Sequence, residues 1–260
     1  MTSNIILNYD TIGSTKINNN SFNTIINLNK SIIKAKKIYL RSIELAPLTN
    51  IRSPYNFFSY TITNVAMVST KYQFILPERN YTSISTLLND INVLSISNIQ
   101  SKLLLTEIAP VFSISSTDPN KVSITYSYTT SIITFHDEGI LFYYLGRSIF
   151  GSQSILGSTL KTQTLNFSHI YNLNFDSYVN LYFSNVSSIN KNNNNTPCDF
   201  KIIMMSNSLS YSFNNEISCN QYIELTNITS LNNLNVSIYD RYNNLLYSIH
   251  DFSFTLEYEF

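Results

Sequence analysis

Chemistry needs titratable or nucleophilic groups brought together, and in this chain they are sparse. His136-Asp137-Glu138 is the one place where groups of metal-binding or acid–base type crowd in sequence. A metal site would need further ligands at defined spacing, and acid–base work a second carboxylate or imidazole cluster; neither accompanies the triplet. Preceded by an apolar run and followed by Gly139, it reads as a turn at a strand end. His169 and His250 each stand alone among aromatic residues, the setting of a hydrogen-bonded structural histidine rather than of a catalyst. Cys198 and Cys219 are the only cysteines, too few for a disulfide framework. Two buried free thiols are the preferred reading over a pair bridging neighbouring strands. The chain has no Gly-X-Ser-X-Gly elbow, no phosphate loop and no dinucleotide fingerprint, and its five glycines leave little for a phosphate cradle. No catalytic, cofactor-binding or metal-binding residue is assigned, no cofactor is expected, and the chain is read as not an enzyme; a hydrolase is weighed and set aside.

Composition narrows the field further. Formal net charge is zero and 12% of the 260 residues are charged, so there is no general basic field to gather nucleic acid, and nucleic acid is expected only as an incidental contact. Lys34, Lys36 and Lys37 form a small basic group, read as solvated charges at a strand entrance. The opening segment lacks the basic region, apolar run and small-residue cleavage site of a secretory signal, and no apolar stretch is long enough to span a bilayer, so no membrane partner is expected. Nineteen Tyr and sixteen Phe exceed what one core needs. Tyr joins an apolar ring to a polar tip and suits interfaces; the plainer account is A/T-biased coding together with β propensity.

The elements that would hold these residues are mainly strands. In Phe252, Phe254, Leu256, Tyr258 and Phe260 every second residue is apolar, with Asp251, Ser253, Thr255, Glu257 and Glu259 between them, the period of a strand with one buried face. Leu234, Val236 and Ile238 alternate likewise before Asp240-Arg241-Tyr242-Asn243-Asn244, so the chain is expected to finish in a β-hairpin whose last strand lies centrally. In IYLRSIEL, Ile38 and Leu40 face one way and Tyr39, Arg41 and Ile43 the other. Strands are also expected over 56–64, 69–76, 111–115, 122–128 and 132–135, with Asp118-Pro119-Asn120 as a turn. Residues 146–161 read as a long loop, 165–174 and 178–185 as a strand pair, and 200–205, 209–213 and 222–225 as short strands. Only Thr82–Asn92 changes period: Ile84, Leu87, Leu88 and Ile91 lie at helical spacing behind Thr82 or Ser83 as N-cap. Residues 1–35 are expected to form an irregular N-terminal arm and 36–260 one domain: all-β, a single jelly-roll antiparallel sandwich with one short helix, its two sheets of about four strands each and the helix across one end.

The order of several stretches carries a family resemblance: LPERNYTSISTLLNDIN, FSISSTDPNKVSITYSY, YYLG, NLNFDSYVNLYFSNV and the finish NLNVSIYDRYNNLLYSIHDFSFTLEYEF. Over roughly residues 36–260 the sequence resembles the penton, or minor capsid, proteins of virophages, polintons and related small double-stranded DNA viruses. Arg147 stands after Gly146 where such proteins commonly have an aromatic, and Asn243-Asn244 where a glycine is common. The resemblance implies a structural virion protein, a homopentamer at the five-fold vertices of an icosahedral capsid, contacting the major capsid protein of the same virion. It also implies location in the virion after assembly inside the host cell, and it carries no catalytic residues. The alternative from another class is a carbohydrate-binding jelly roll, such as a fibre head or lectin, with surface Tyr and Asn lining a sugar site.

Overall fold

The computed structural model describes residues 4–45, 48–64, 66–99, 108–127, 132–146, 153–156, 163–174, 176–186, 198–204, 211–214, 222–225 and 230–260. In chain order the elements are β1 (Asn4–Asp10), β2 (Thr15–Ile17), β3 (Asn20–Ile33), β4 (Lys37–Leu45), β5 (Phe57–Thr63), β6 (Ser69–Ile75), α1 (Ile84–Ile99), β7 (Ile108–Ile114), β8 (Val122–Ser127), β9 (Ile132–Phe135), α2 (Gly139–Tyr143), β10 (Gln153–Leu156), β11 (Gln163–Asn166), β12 (Tyr178–Phe183), β13 (Phe200–Ile203), β14 (Tyr211–Asn214), β15 (Tyr222–Glu224), β16 (Ser230–Tyr239) and β17 (Ser253–Glu259). The fold is all-β and antiparallel, a jelly-roll sandwich as expected. It divides into two compact units, Met1–Leu48 with Asp176–Phe260, and Thr49–Phe175.

The first unit is a sandwich of two sheets. One runs β1-β17-β4-β14, with β15 also paired to β4; the other runs β13-β12-β16-β3-β2. Phe252, Phe254, Leu256 and Tyr258 are at most 3% exposed, as the alternation requires, and β17 lies between β1 and β4. Rings from the two sheets interlock: Phe22 meets Phe252 edge-on at 5.5 Å between centroids, and Phe183 meets Phe254 at 5.8 Å. Such aromatic pairs add about 0.5–1.5 kcal/mol each to the burial of their area.

The second unit has a four-stranded sheet, β10-β9-β5-β6, and a three-stranded one, β11-β8-β7. Phe112 bridges them, with Phe58 at 5.8 Å and Phe135 at 6.4 Å. α1 lies on β7: the Asn92 amide donates to the Phe112 carbonyl at 2.8 Å and accepts from the Phe112 N–H at 2.7 Å. Ser83 caps the helix, its hydroxyl accepting from Thr86 N–H at 3.2 Å. α1 runs seven residues beyond Asn92 because Ser95 and Ile99 continue the buried stripe. Ser95 fills a core position as a polar residue by donating to the Pro110 carbonyl and meeting the Tyr60 hydroxyl, both at 3.1 Å.

The last two strands are not a hairpin. β16 pairs with β12 and β3, β17 with β1 and β4, so the link from Asp240 to Phe252 carries the chain from one sheet to the other. Its start is fixed by Asp240, whose carboxylate accepts from Tyr242 and Asn244 N–H at 2.8 and 2.9 Å, with Asn243 at φ +71°. Residues 4–33 are not an irregular arm: β1 borders β17 and β3 borders β16, the ordering cost being met by pairing with the distant C-terminal strands. The expected single domain over 36–260 and the helix across the sandwich end give way to the two units, with α1 in the second.

In β4, Arg41 is the extra residue of a bulge, Leu40 pairing with Leu256 and Ser42 with Thr255. The bulge turns Ile43 and Leu45 onto the same buried face as Ile38 and Leu40, against the alternation read from sequence. The stretches 165–174 and 178–185 do not pair together: β11 joins β8 and β12 joins β13 and β16. Within the loop expected at 146–161, residues 153–156 form β10 against β9.

Candidate functional site

His136-Asp137-Glu138 closes β9 and enters α2. His136 Nε2 is 2.9 Å from Thr61 Oγ1, and Glu138 accepts from Ser59 Oγ and, at 3.0 Å, from Lys71 Nζ. Burial pulls the Glu138 carboxyl upward, but the bonds from Ser59 and Lys71 outweigh it and hold it below the usual range. Gly139 follows at φ +54°, where an added Cβ would lie 2.1 Å from the Phe57 carbonyl oxygen. The triplet thus ties β5, β6 and α2 together. His169 and His250 are exposed and hold their loops through backbone bonds, His169 N–H to the Gly146 carbonyl at 2.8 Å and His250 N–H to Ser248 Oγ at 3.0 Å. Cys198 is a partly buried free thiol raised to about 11 by burial and the neighbouring Asp199 charge; Cys219 lies outside the described residues. Among the described residues no three or more His, Cys, Asp or Glu side chains gather as a metal site would need, and no helix is long and apolar enough to cross a membrane.

A more developed surface lies on the outward face of the β1-β17-β4 sheet. Lys37, Tyr39 and Arg41 from β4 alternate outward against Glu257 and Glu259 of β17. Tyr39 donates its hydroxyl to Glu259 at 2.7 Å, and Lys37 approaches the same carboxylate at 3.6 Å. The hydrogen bond from Tyr39, with Lys37 assisting, keeps the Glu259 carboxyl low, and the same bond raises the Tyr39 phenol. Arg41 grips Glu257 through its guanidinium, while Asn4 Nδ2 donates to the other carboxylate oxygen at 2.6 Å. That explains a carboxylate only 6% exposed on the solvent side of the sheet, where strand alternation predicted an open one. Lys37 stands 4.8 Å over the Tyr222 ring. Of the basic group, Lys34 and Lys36 have exposed side chains at the strand entrance, as expected, whereas Lys37 is paired; the Lys36 backbone joins the sheet, its N–H donating to the Glu259 carbonyl at 2.7 Å and its carbonyl accepting from Leu225 N–H at 2.8 Å.

Beside this face the sandwich is open. A cavity of about 910 Å³ lies between β1 and the end of β3, lined by Ile5, Leu7, Tyr9, Ile26, Leu28 and Phe260 among others, with Asp10 and Lys30 at its border. Ile5 sits on the core-facing side of β1, yet it is 45% exposed, whereas its neighbour Tyr258 on β17 is fully buried. The outward Ile6 is 61% exposed. This arrangement holds no nucleophile–base pair; it offers apolar surface and unpaired strand edge, the features of an association surface. The one signal of it in the sequence is the alternation of Ile5, Leu7 and Tyr9 with Ile6, Asn8 and Asp10, which an irregular arm over 1–35 does not account for.

No family model matches the chain, and no curated protein matches it. Among solved structures, it is similar to the selenomethionine-labelled mavirus penton protein, with a TM-score of 0.49 and 16% sequence identity over 99% of each chain.

Proposed function

We propose that this protein is a structural component of an icosahedral virion, the penton that fills five-fold vertices as a homopentamer and meets the major capsid protein around it. The observation that carries this reading is where the penton-like stretches fall. LPERNYTSISTLLNDIN runs from the end of β6 into α1, FSISSTDPNKVSITYSY is the β7–β8 pair with its turn, YYLG closes α2, NLNFDSYVNLYFSNV contains β12, and the finish contains β16 and β17. Each stretch carries or borders a regular element, and the stretches keep one order along the chain. The titratable groups support the same reading, since Glu138, Glu257, Glu259 and Asp251 are all engaged in ion pairs or hydrogen bonds that tie strands together. Catalysis forms no part of the proposed role.

Native mass spectrometry of the purified full chain, alone and mixed with the double jelly-roll capsid protein of the same virus, tests it. A five-copy species is the expected result. A three-copy species that binds a glycan array would instead make the protein a carbohydrate-binding fibre head.

A further inference from the structure

The sheet that carries the paired charges has two free ends. At one end β1 pairs with β17 alone, and at the other β15 pairs with β4 alone, among the described residues. Three residue rows cross the sheet between them: Ile6–Glu257–Tyr39–Tyr222, Ile5–Tyr258–Ile38–Ile223 and Asn4–Glu259–Lys37–Glu224. The middle of the apolar row is closed, Tyr258 and Ile38 being at most 1% exposed. Both ends of the first row are open, Ile6 at 61% and Tyr222 at 40% exposed, and so is the β1 end of the apolar row, Ile5 at 45%; its β15 end, Ile223, is 1% exposed.

We infer that this sheet continues from one copy of the chain into the next, β1 of one copy adding along the outer edge of β15 of its neighbour. The occupant of the open edge beside the 910 Å³ cavity is thus a second copy. Three observations select this contact. Successive strands alternate in direction across β1, β17, β4 and β15, so a neighbouring β1 set beyond β15 is antiparallel to it without any reversal of the subunit. At the same level, Ile6 of the incoming strand lies against Tyr222 on the outward face, and Ile5 comes beside the buried Ile223, so apolar ends meet apolar ends. Charges agree as well. Glu224 falls opposite Asn4, while Asp10 is six residues further along β1, roughly 20 Å away at strand spacing. The contact joins unlike surfaces, so it propagates in one direction and closes into a ring when the rotation allows. It rests on the vertex reading for the number of copies, not for the contact itself.

The test uses the full chain carrying Cys198→Ser and Cys219→Ser, with Ile6→Cys and Tyr222→Cys together. Within one chain these positions are three strands apart, roughly 14 Å, too far to bond; directly opposed residues of adjacent antiparallel strands are within disulfide reach. Mild oxidation is expected to give a ladder of covalent multimers ending at the copy number that native mass spectrometry finds for the unmodified chain, with neither single variant cross-linking alone. In the original background, Ile6→Asp is expected to raise the concentration needed for assembly at least tenfold, while Val93→Asp, an exposed change on α1, leaves it unaltered. If the unmodified chain forms five-copy rings and the double variant stays uncrosslinked, the contact is wrong and the vertex reading stands. Cross-linking by Ile6→Cys alone would mean two-fold pairing of β1 with β1 and also overturns it. A chain that neither assembles nor cross-links at any concentration counts against both.

Discussion

Phe254 concentrates the packing of the first unit. Its ring stacks on Tyr9 at 5.3 Å and lies 5.8 and 5.9 Å from Phe183 and Phe252. Phe254→Ala removes contacts to both sheets and is expected to lower unfolding stability by about 3–5 kcal/mol in urea titration, whereas Thr255→Ala, half-exposed on the other face, should cost under about 1 kcal/mol. Next to it, the Tyr9 and Tyr258 hydroxyls meet at 2.7 Å in the core. Burial raises both phenols above their ordinary value, in Tyr258 with the Tyr9 partner adding to the rise and in Tyr9 with the Tyr258 bond moderating it. An acid whose folded-state pKa is raised supports the fold fully below its unfolded pKa and loses that support as pH climbs toward the folded value. Stability should therefore hold up to about pH 10, the unfolded phenol range, and fall above it. Replacing both residues with Phe should make the fall shallower, measured as urea midpoint against pH. Cys198 offers a third check: with its thiol raised to about 11, the thiolate is scarce at pH 8, and alkylation followed by peptide mass should proceed well below the rate of free cysteine.

At the scale of elements, α2 ends through Gly146. Its φ is +79°, and an added Cβ would sit 2.3 Å from the His169 carbonyl oxygen and 2.5 Å from that of Ile170. The close approach lets Gly146 accept from His169 N–H and Tyr144 from Asn172 N–H, joining the helix end to the segment after β11. Gly146→Ala carries both the left-handed penalty of roughly 1–2 kcal/mol and a backbone clash, so its thermal midpoint should drop by several degrees. Gly13→Ala, also at positive φ but with open space around it, should drop less. The YYLG stretch thus owes its glycine to a backbone crossing.

For the whole molecule, association is expected to rest on apolar and neutral polar surface. The 16 basic and 16 acidic residues cancel, and on the outward sheet face Lys37 and Arg41 are already paired with Glu259 and Glu257. Apolar burial is not screened by ions, so self-association measured between about 0.05 and 0.5 M salt should change little while the Debye length falls severalfold. A hundredfold weakening would show that unpaired charge governs the contact.

What the sequence determined by itself was local and periodic. Alternation in 252–260 placed Phe252, Phe254, Leu256 and Tyr258 inside, because strand geometry sends neighbours to opposite faces whatever lies beyond them. Helical spacing from Ile84 to Ile91 located α1, and Asp118-Pro119-Asn120 located a turn, in which Lys121 N–H donates to the Asp118 carbonyl at 3.0 Å. Partnership was decided only in three dimensions. Residues 4–10 and 253–259 are some 250 positions apart yet adjacent in one sheet, and no local pattern specifies which of many apolar edges a strand will join. The Arg41 bulge inverts the alternation of β4 because seating the strand against β17 and burying Ile43 outweigh one lost ladder position. The association surface was hidden for the same reason: Ile5, Ile6 and Tyr222 become the ends of common rows only once four strands distant in sequence lie side by side.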